Sequence, residues 1–270
     1  MIRVAIVGAA GRMGRMLVAG VMRDPELTLS GALEYSGCPL LGQDAGVVAG
    51  QGAVGVCITD KLEDFIANTD AVIDFSSLAS TMALAPRFAA AGINIAIGTT
   101  GLTDSDKAAL RALTAAGAKI VQAPNMSIGV NLLFALCAKV APLLGEDYDI
   151  EVVEMHHHKK VDAPSGTAER LGEILAKARG LDYGKDTRHG RVGMVGARSK
   201  GEIGMHALRG GDVVGDHTVI FAGDGERVEL THKASSRETF ARGALRAVKF
   251  LATAKAGLYD MQDVLGLKNL

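Results

Sequence analysis

The sequence predicts an α/β protein: an N-terminal Rossmann-like, doubly wound parallel sheet, plus a smaller α+β domain with a mixed or antiparallel sheet. Three observations predict it. Short β-branched apolar runs alternate with helical patterns from Met1 to Met126. The first of these runs passes straight into a glycine-rich turn that opens a helix. After Ser127 the pattern changes to longer strands separated by Gly-Gly-Asp and Gly-Asp-Gly turns. The expected division is 1–126 with 237–270 for the first domain and 127–236 for the second.

In the first domain, Ile2 to Val7 reads as a buried strand. Gly8-Ala9-Ala10-Gly11-Arg12-Met13-Gly14 follows, then a helix with Met13, Leu17, Gly20 and Val21 on one side. Strand, glycine turn and helix together make the first unit of a dinucleotide-binding fold. The glycines let backbone approach a pyrophosphate, and the helix start faces it. The spacing departs from strict G-x-G-x-x-G, and alone it also fits an ordinary strand-to-helix turn. A second strand, Leu27 to Leu33, ends at Glu34. An acid at that place accepts hydrogen bonds from ribose hydroxyls and repels a 2′-phosphate. Tyr35 stands where an arginine would serve that phosphate, so the residues favour NADH without excluding NADPH.

Ser36 to Ile58 reads as a long loop with a short helical turn, and Asp60 to Ala67 as a helix. Ala71 to Ser76 is the next strand, followed by an Ala-rich helix from Ser80 to Ala91 that Gly92 stops. Asn94 to Ile97 repeats the design and runs into Gly98-Thr99-Thr100-Gly101. Gly98, Thr99 and Thr100 are expected over the cofactor, with a plain helix-entry turn as the equal alternative. Thr103 caps a helix from Asp104 to Ala116. Lys119 to Ala123 is a further strand, leading to Pro124-Asn125-Met126.

In the second domain, Ile128 to Leu144 is a long apolar helix, read with Leu132, Leu136, Val140 and Leu143 on one face. Asp149 to Met155 is a strand, with Ile150, Val152 and Met155 set against Glu151 and Glu154. A polar loop is expected around Tyr183 to Arg191. Strands are expected over Gly204–Arg209, Val213–Ala222 and Arg227–His232. Ser235 and Glu238 have capping-box spacing, opening a C-terminal helix with Phe240, Ala244, Ala247, Leu251 and Ala254 on one side. That helix ends at Gly257-Leu258-Tyr259-Asp260-Met261 and is expected to return to the first domain.

Composition narrows the function. The 270 residues are 48% apolar and 4% aromatic with no Trp, so Ala, Val, Leu and Ile must build the core. A net charge of −1 gives no general affinity for nucleic acid or anionic lipid. Cys38, Cys57 and Cys137 fit neither a zinc pattern nor a disulfide framework, and read as free thiols. The N-terminal run lacks a signal-peptide h-region. No stretch reaches the ~18 uninterrupted apolar residues of a membrane span. A soluble cytoplasmic protein is expected.

The chemistry concentrates in Glu154-Met155-His156-His157-His158-Lys159-Lys160-Val161-Asp162-Ala163-Pro164-Ser165-Gly166-Thr167. Adjacent strand residues point to opposite faces, and two lysines repel a cation, so no metal site is expected. A solvated basic loop is one alternative. The other is a catalytic cluster, in which a histidine moves a proton near neutral pH and a lysine steadies negative charge. The Pro-Ser-Gly-Thr turn opens a helix along Ala168, Leu171, Leu175 and Ala178. Its first amides, on Gly166 and Thr167, can hold a small carboxylate.

The segment from His156 to Ala168 resembles the substrate motif of the 4-hydroxy-tetrahydrodipicolinate reductase (formerly dihydrodipicolinate reductase) family. Four further motifs resemble it in order: Val7 to Gly14; Gly98 to Gly101; Asn125 to Asn131; and His232 to Arg237 with the ending Gly257 to Met261. The resemblance covers the length of the chain. It implies an oxidoreductase of the diaminopimelate route to lysine, using NADH or NADPH on a cyclic imine with two carboxylates and losing water, in a homotetramer built through the second domain's sheet. It implies that His156 donates a proton, Lys160 assists, His157 contacts substrate, and Gly166 and Thr167 hold a carboxylate, with Arg237 as a further carboxylate partner. It implies that Gly8, Ala9, Ala10, Gly11, Arg12, Met13, Glu34, Gly98, Thr99, Thr100, Ala123, Pro124, Asn125 and Met126 line the dinucleotide. Tyr35 departs from the arginine of several relatives. Two other classes share the first half: a dehydrogenase acting on a semialdehyde or sugar, and a non-catalytic NADH sensor. Neither needs His156, Lys160 and the Ser-Gly-Thr turn together.

Overall fold

The structure, a computed structural model, describes residues 1–269; Leu270 lies outside them. The chain forms two compact units, Met1–Ile128 with Arg237–Asn269, and Gly129–Ser236. In chain order the elements begin β1 (Ile2–Val7), α1 (Arg12–Arg23), β2 (Leu27–Leu33), α2 (Ala45–Val48), β3 (Ile58–Thr59), β4 (Ala71–Asp74) and α3 (Leu78–Ala90). They continue with β5 (Asn94–Ile97), α4 (Asp104–Thr114), β6 (Lys119–Gln122), α5 (Ile128–Leu144), β7 (Asp149–His156), α6 (Gly166–Arg179) and α7 (Tyr183–Asp186). The last are β8 (Thr187–His189), β9 (Ile203–Arg209), β10 (Gly215–Gly223), β11 (Glu226–Ala234), α8 (Glu238–Thr253), β12 (Gly257–Tyr259) and α9 (Met261–Leu265).

The first unit is a parallel sheet in the order β12-β6-β5-β4-β1-β2-β3. Strand order reverses on either side of β1, which pairs with β2 and β4. That switch point, at the carboxyl edge, is where open α/β sheets bind ligands. Val4, Ala5, Ile6 and Val7 are buried because a central parallel strand is covered on both faces. Burying a side chain such as Ile6 contributes roughly 1.5–3 kcal/mol. One core layer joins Leu17, Val18 and Val21 of α1 to Ala244, Val248 and Leu251 of α8. The other joins Phe88, Ile93, Ile95 and Leu110.

The second unit is a mixed sheet, β11-β10-β7-β9-β8. Its β7 runs antiparallel to β10 and parallel to β9. Ile150, Val152, Val219 and Phe221 pack with Leu133, Cys137 and Ala141 of α5 and Leu171 and Leu175 of α6.

Several local expectations change. Asp60 to Ala67 is not one helix but two 3-10 turns, Leu62–Asp64 and Ile66–Asn68. Helix α5 buries Leu133, Cys137 and Ala141, while Leu132 and Leu143 are exposed. It is apolar all round, so periodicity could not choose its face. With the turn after it, Ile128–Asp147 spans 20 residues of mean hydropathy 1.8, long and apolar enough to cross a membrane by composition. Its packing in the second core is that of a core helix. In β7 the buried set is Ile150, Val152, Glu154 and His156, with Met155 on the other face. Strand period, not polarity, decides. Helix α8 has Arg237, not Ser235, at its N-cap, and the Arg237 side chain makes no capping hydrogen bond. Gly257–Tyr259 is a strand paired with β6. The polar loop at Tyr183–Arg191 holds α7 and β8.

Candidate functional site

In the first unit, Gly8 follows β1 at φ +79°, a conformation open to glycine. Gly11 caps α1 with no side-chain hydrogen bond, leaving Arg12 and Met13 in its first turn. A Cβ on Gly14 would stand 2.0 Å from the Gly8 carbonyl oxygen, so the helix packs on the turn only as glycine. An uncapped helix start behind a turn of glycine and alanine alone fits a dinucleotide's pyrophosphate. Ala9 is buried, and the Ala10 amide donates to Glu34 Oε1 at 2.8 Å. Glu34 therefore reaches the glycine turn, and Tyr35 beside it is 66% exposed.

Gly98, Thr99 and Thr100 follow β5, and Ala123, Pro124, Asn125 and Met126 follow β6. Gly98 lies against the Phe75 ring, where a Cβ would come within 2.1 Å. The Ser127 amide donates to Asn125 Oδ1 at 2.9 Å, tightening the second turn. All these residues share the carboxyl edge of the first sheet. Asp74 also stands there, 2% exposed. Its Oδ1 accepts from the Ser76 amide and hydroxyl, and its Oδ2 from the Thr81 hydroxyl at 2.8 Å.

In the second unit, β7 delivers His156 at its last position. His156 Nδ1 lies 2.5 Å from Glu154 Oε2. Glu154 is 1% exposed and also takes Arg209 on both oxygens, at 2.8 and 2.9 Å, and the Ser165 amide at 3.1 Å. Burial alone would raise its pKa; the bonds from Arg209 and His156 outweigh burial and hold it below the usual range. A carboxylate only accepts, so Nδ1 donates to Glu154 and Nε2 is the ring nitrogen outside that pair. Gly215 gives this imidazole room: a Cβ there would sit 3.0 Å from Nε2.

Ser165 caps α6, with Oγ accepting from the Ala168 amide at 3.2 Å. Its hydroxyl also meets His217 Nε2 at 3.0 Å. The His217 ring stands edge-on to His156, centroids 5.2 Å apart. Burial, then the neighbouring His156, push the His217 pKa down to about 3, so this ring stays neutral. Gly166 and Thr167 form the first turn of α6, and Gly166 faces open space.

The remaining residues of the motif form a turn. Lys160 donates its amide to the His157 carbonyl and its Nζ to Asp162 at 2.8 Å. Lys160 therefore holds an ion pair within its own turn. His158 Nδ1 contacts the Gly211 carbonyl at 2.8 Å. Among the described residues no three His, Cys, Asp or Glu side chains gather as a metal site. Arg237 lies in the first unit, at the start of α8.

The structure thus brings His156, His157, Lys160, Gly166 and Thr167 onto one β7–α6 connection. Sequence reasoning missed Glu154, Arg209 and His217. Glu154 had a signal, two residues before His156 on one strand face. Arg209 and His217 had none, since they arrive from β9 and β10.

The chain matches the family models described as "Dihydrodipicolinate reductase, N-terminus" over residues 2–126 and "Dihydrodipicolinate reductase, C-terminus" over 129–265. A 4-hydroxy-tetrahydrodipicolinate reductase of Citrifermentans bemidjiense is 49% identical over 268 residues, spanning 99% of this chain and 100% of that protein. One from Geobacter sulfurreducens is 48% identical with the same coverage. A dipicolinate-bound dihydrodipicolinate reductase from Paenisporosarcina sp. TG-14 shares the fold, with TM-score 0.78 at 24% identity over 97% of this chain and 98% of that one. A probable dehydrogenase from Thermotoga maritima is similar in fold at TM-score 0.62 and 12% identity, so the fold by itself does not choose a substrate.

Proposed function

The chain belongs to the dihydrodipicolinate reductase family, and from that premise we propose how its own residues carry the reaction. It is an oxidoreductase of the diaminopimelate route to lysine, reducing 4-hydroxy-tetrahydrodipicolinate with a pyridine nucleotide. The observation that supports the residue assignment is the Glu154–His156 pair beside the first turn of α6.

The bound nucleotide supplies the hydride. Gly8 to Met13 hold its pyrophosphate, and Glu34 takes the ribose hydroxyls after releasing the Ala10 amide. Gly98 to Thr100 and Ala123 to Met126 line its other end. Glu34 with Tyr35 favours NADH over NADPH, because a carboxylate repels a 2′-phosphate.

In the second unit, Gly166 and Thr167 receive one substrate carboxylate at the positive end of α6. Lys160 exchanges Asp162 for substrate charge, and His157 contacts the ring. The 4-hydroxyl leaves as water to give the conjugated imine, hydride adds at C4 of that imine, and His156 delivers a proton from Nε2 to C3 of the resulting enamine. Glu154 steadies the imidazolium form before transfer, as a charged acceptor does. Each proton transfer of this kind contributes ~10²–10⁴ in rate.

The assembly is a homotetramer formed through the second sheet. One face of that sheet lies under α5 and α6; the other carries Val153, Met155 and Ile220, with Leu208 49% exposed. Light scattering of the eluted protein checks this, and a monomer would contradict it. The free cysteines fit the reducing cytoplasm.

Turnover tests the reading. Freshly made substrate, generated by the synthase from pyruvate and aspartate semialdehyde, should drive oxidation of NADH and NADPH, with NADH the better donor. Oxidation that is independent of the synthase, or absent with both nucleotides, would overturn it.

A further inference from the structure

Asp74 is a buried carboxylate that the reaction itself does not use. It ends β4, next to β1 and one strand from the turn after β5. Three donors converge on it. Oδ1 takes the Ser76 amide at 2.9 Å and the Ser76 hydroxyl at 2.6 Å. Oδ2 takes the Thr81 hydroxyl at 2.8 Å. Thr81 is fully buried on α3, and its oxygen also lies 2.9 Å from Thr99 Oγ1. Ser76 in turn sits against Gly8, where a Cβ would come 3.3 Å from its Cα. One carboxylate therefore ties together the turns that follow β1, β4 and β5.

Those turns divide the cofactor between them. Glu34, at the end of β2, takes one side of β1. Thr99, at the end of β5, lies on the other side, two strand spacings from β1, or about 10 Å. A dinucleotide laid across the switch point with its adenosine ribose at Glu34 puts its nicotinamide half at Thr99. We propose that Asp74, acting through Thr81, is a positioning residue that holds Thr99 and the turn after β5 in place for the nicotinamide half of the cofactor. The inference rests on the pyridine-nucleotide reading of this unit.

An ionised carboxylate at 2% exposure is costly unless fully bonded. Burial raises the Asp74 pKa despite the bonds from Ser76 and Thr81. A plain scaffold would use an apolar residue here. A carboxylate fits because two residues present three donors to it, and an ionised carboxylate accepts from all of them at once. In Asp74→Asn the amide oxygen can keep Ser76, but its NH2 can only donate to the Thr81 oxygen, which reverses that hydrogen bond and removes its charge. The change falls on the path to Thr99 and spares the turn beside Gly8.

The test is equilibrium binding of NADH and of ADP, which lacks the nicotinamide ribose, by calorimetry on the full chain. Asp74→Asn and Thr81→Val should weaken NADH about tenfold while changing ADP by less than about twofold, the scale of one lost charge-assisted hydrogen bond. Thr81→Ser, which restores the hydroxyl, should return NADH affinity. Equal weakening of both ligands, or unchanged NADH affinity in Thr81→Val, would overturn the proposal. If wild-type protein binds ADP but gains nothing from the nicotinamide half, the cofactor reading fails instead.

Discussion

Glu154 Oε2 and His156 Nδ1 lie 2.5 Å apart on one face of β7, two residues apart in the chain. The strand's period puts both side chains inward, and Arg209 closes the pair by gripping the same carboxylate from β9. The imidazole is therefore fixed in orientation and tautomer before any substrate arrives.

The first prediction concerns that carboxylate. Glu154→Gln replaces an acceptor of four hydrogen bonds with a group that accepts on one side only. Partners that orient a working histidine typically matter by 10- to 100-fold, so kcat should fall by about that factor. Stability should also fall, because Arg209 is left partly buried without its counter-charge, at about 3–5 kcal/mol for a broken buried pair. Steady-state kinetics with thermal unfolding checks both. Full activity with unchanged melting would exclude the role.

The second prediction follows from His217. Burial pushes its pKa down to about 3 in the folded protein, from an ordinary histidine value of 6.5. Between those values the unfolded chain binds more protons, so stability is fully present above about 6.5 and is lost as pH falls. The slope from this one group is about 1.4 kcal/mol per pH unit. The paired Glu154, with its pKa lowered from 4.5, begins to lose its own contribution only below that value. Denaturant unfolding at a series of pH values between the two should therefore show a slope that His217→Phe flattens. An unchanged slope in the variant would place the acid sensitivity elsewhere.

The third prediction concerns cofactor choice. Tyr35 is 66% exposed beside Glu34, so replacing it should not disturb the core. Tyr35→Arg offers a fork to a 2′-phosphate and should shift the NADPH to NADH ratio of kcat/KM upward about tenfold. Kinetics with both nucleotides reads it. A ratio that does not move would mean the 2′ position lies away from Tyr35.

Much of this was legible in the sequence, for identifiable reasons. The parallel sheet showed because each strand is a short apolar run followed by a turn, and the glycine turn showed because Gly14 is forced by contact with Gly8. The β7–α6 connection showed because its residues are contiguous. What failed were places where a local pattern is ambiguous or a partner is distant. Helix α5 is apolar on all sides, so Leu133 and Leu132 could not be told apart. Glu154 looked like a surface acid because its charge hides that it shares a face with Ile150 and Val152. Arg209 and His217 enter from other strands, and Asp74 meets Thr99 through Thr81 on a helix between them. No spacing in the chain announces those meetings.

The division of labour between proton donor and nucleotide is best probed by NADH affinity and turnover on one preparation of His156→Ala, with Lys160→Ala beside it. NADH binding should be unchanged in both, and turnover cut by ~10²–10⁴ in His156→Ala, because the proposed proton donor is on β7 and the proposed nucleotide-binding residues are on the turns of the first sheet. NADH affinity falling in step with turnover, or turnover surviving the loss of His156, would contradict it.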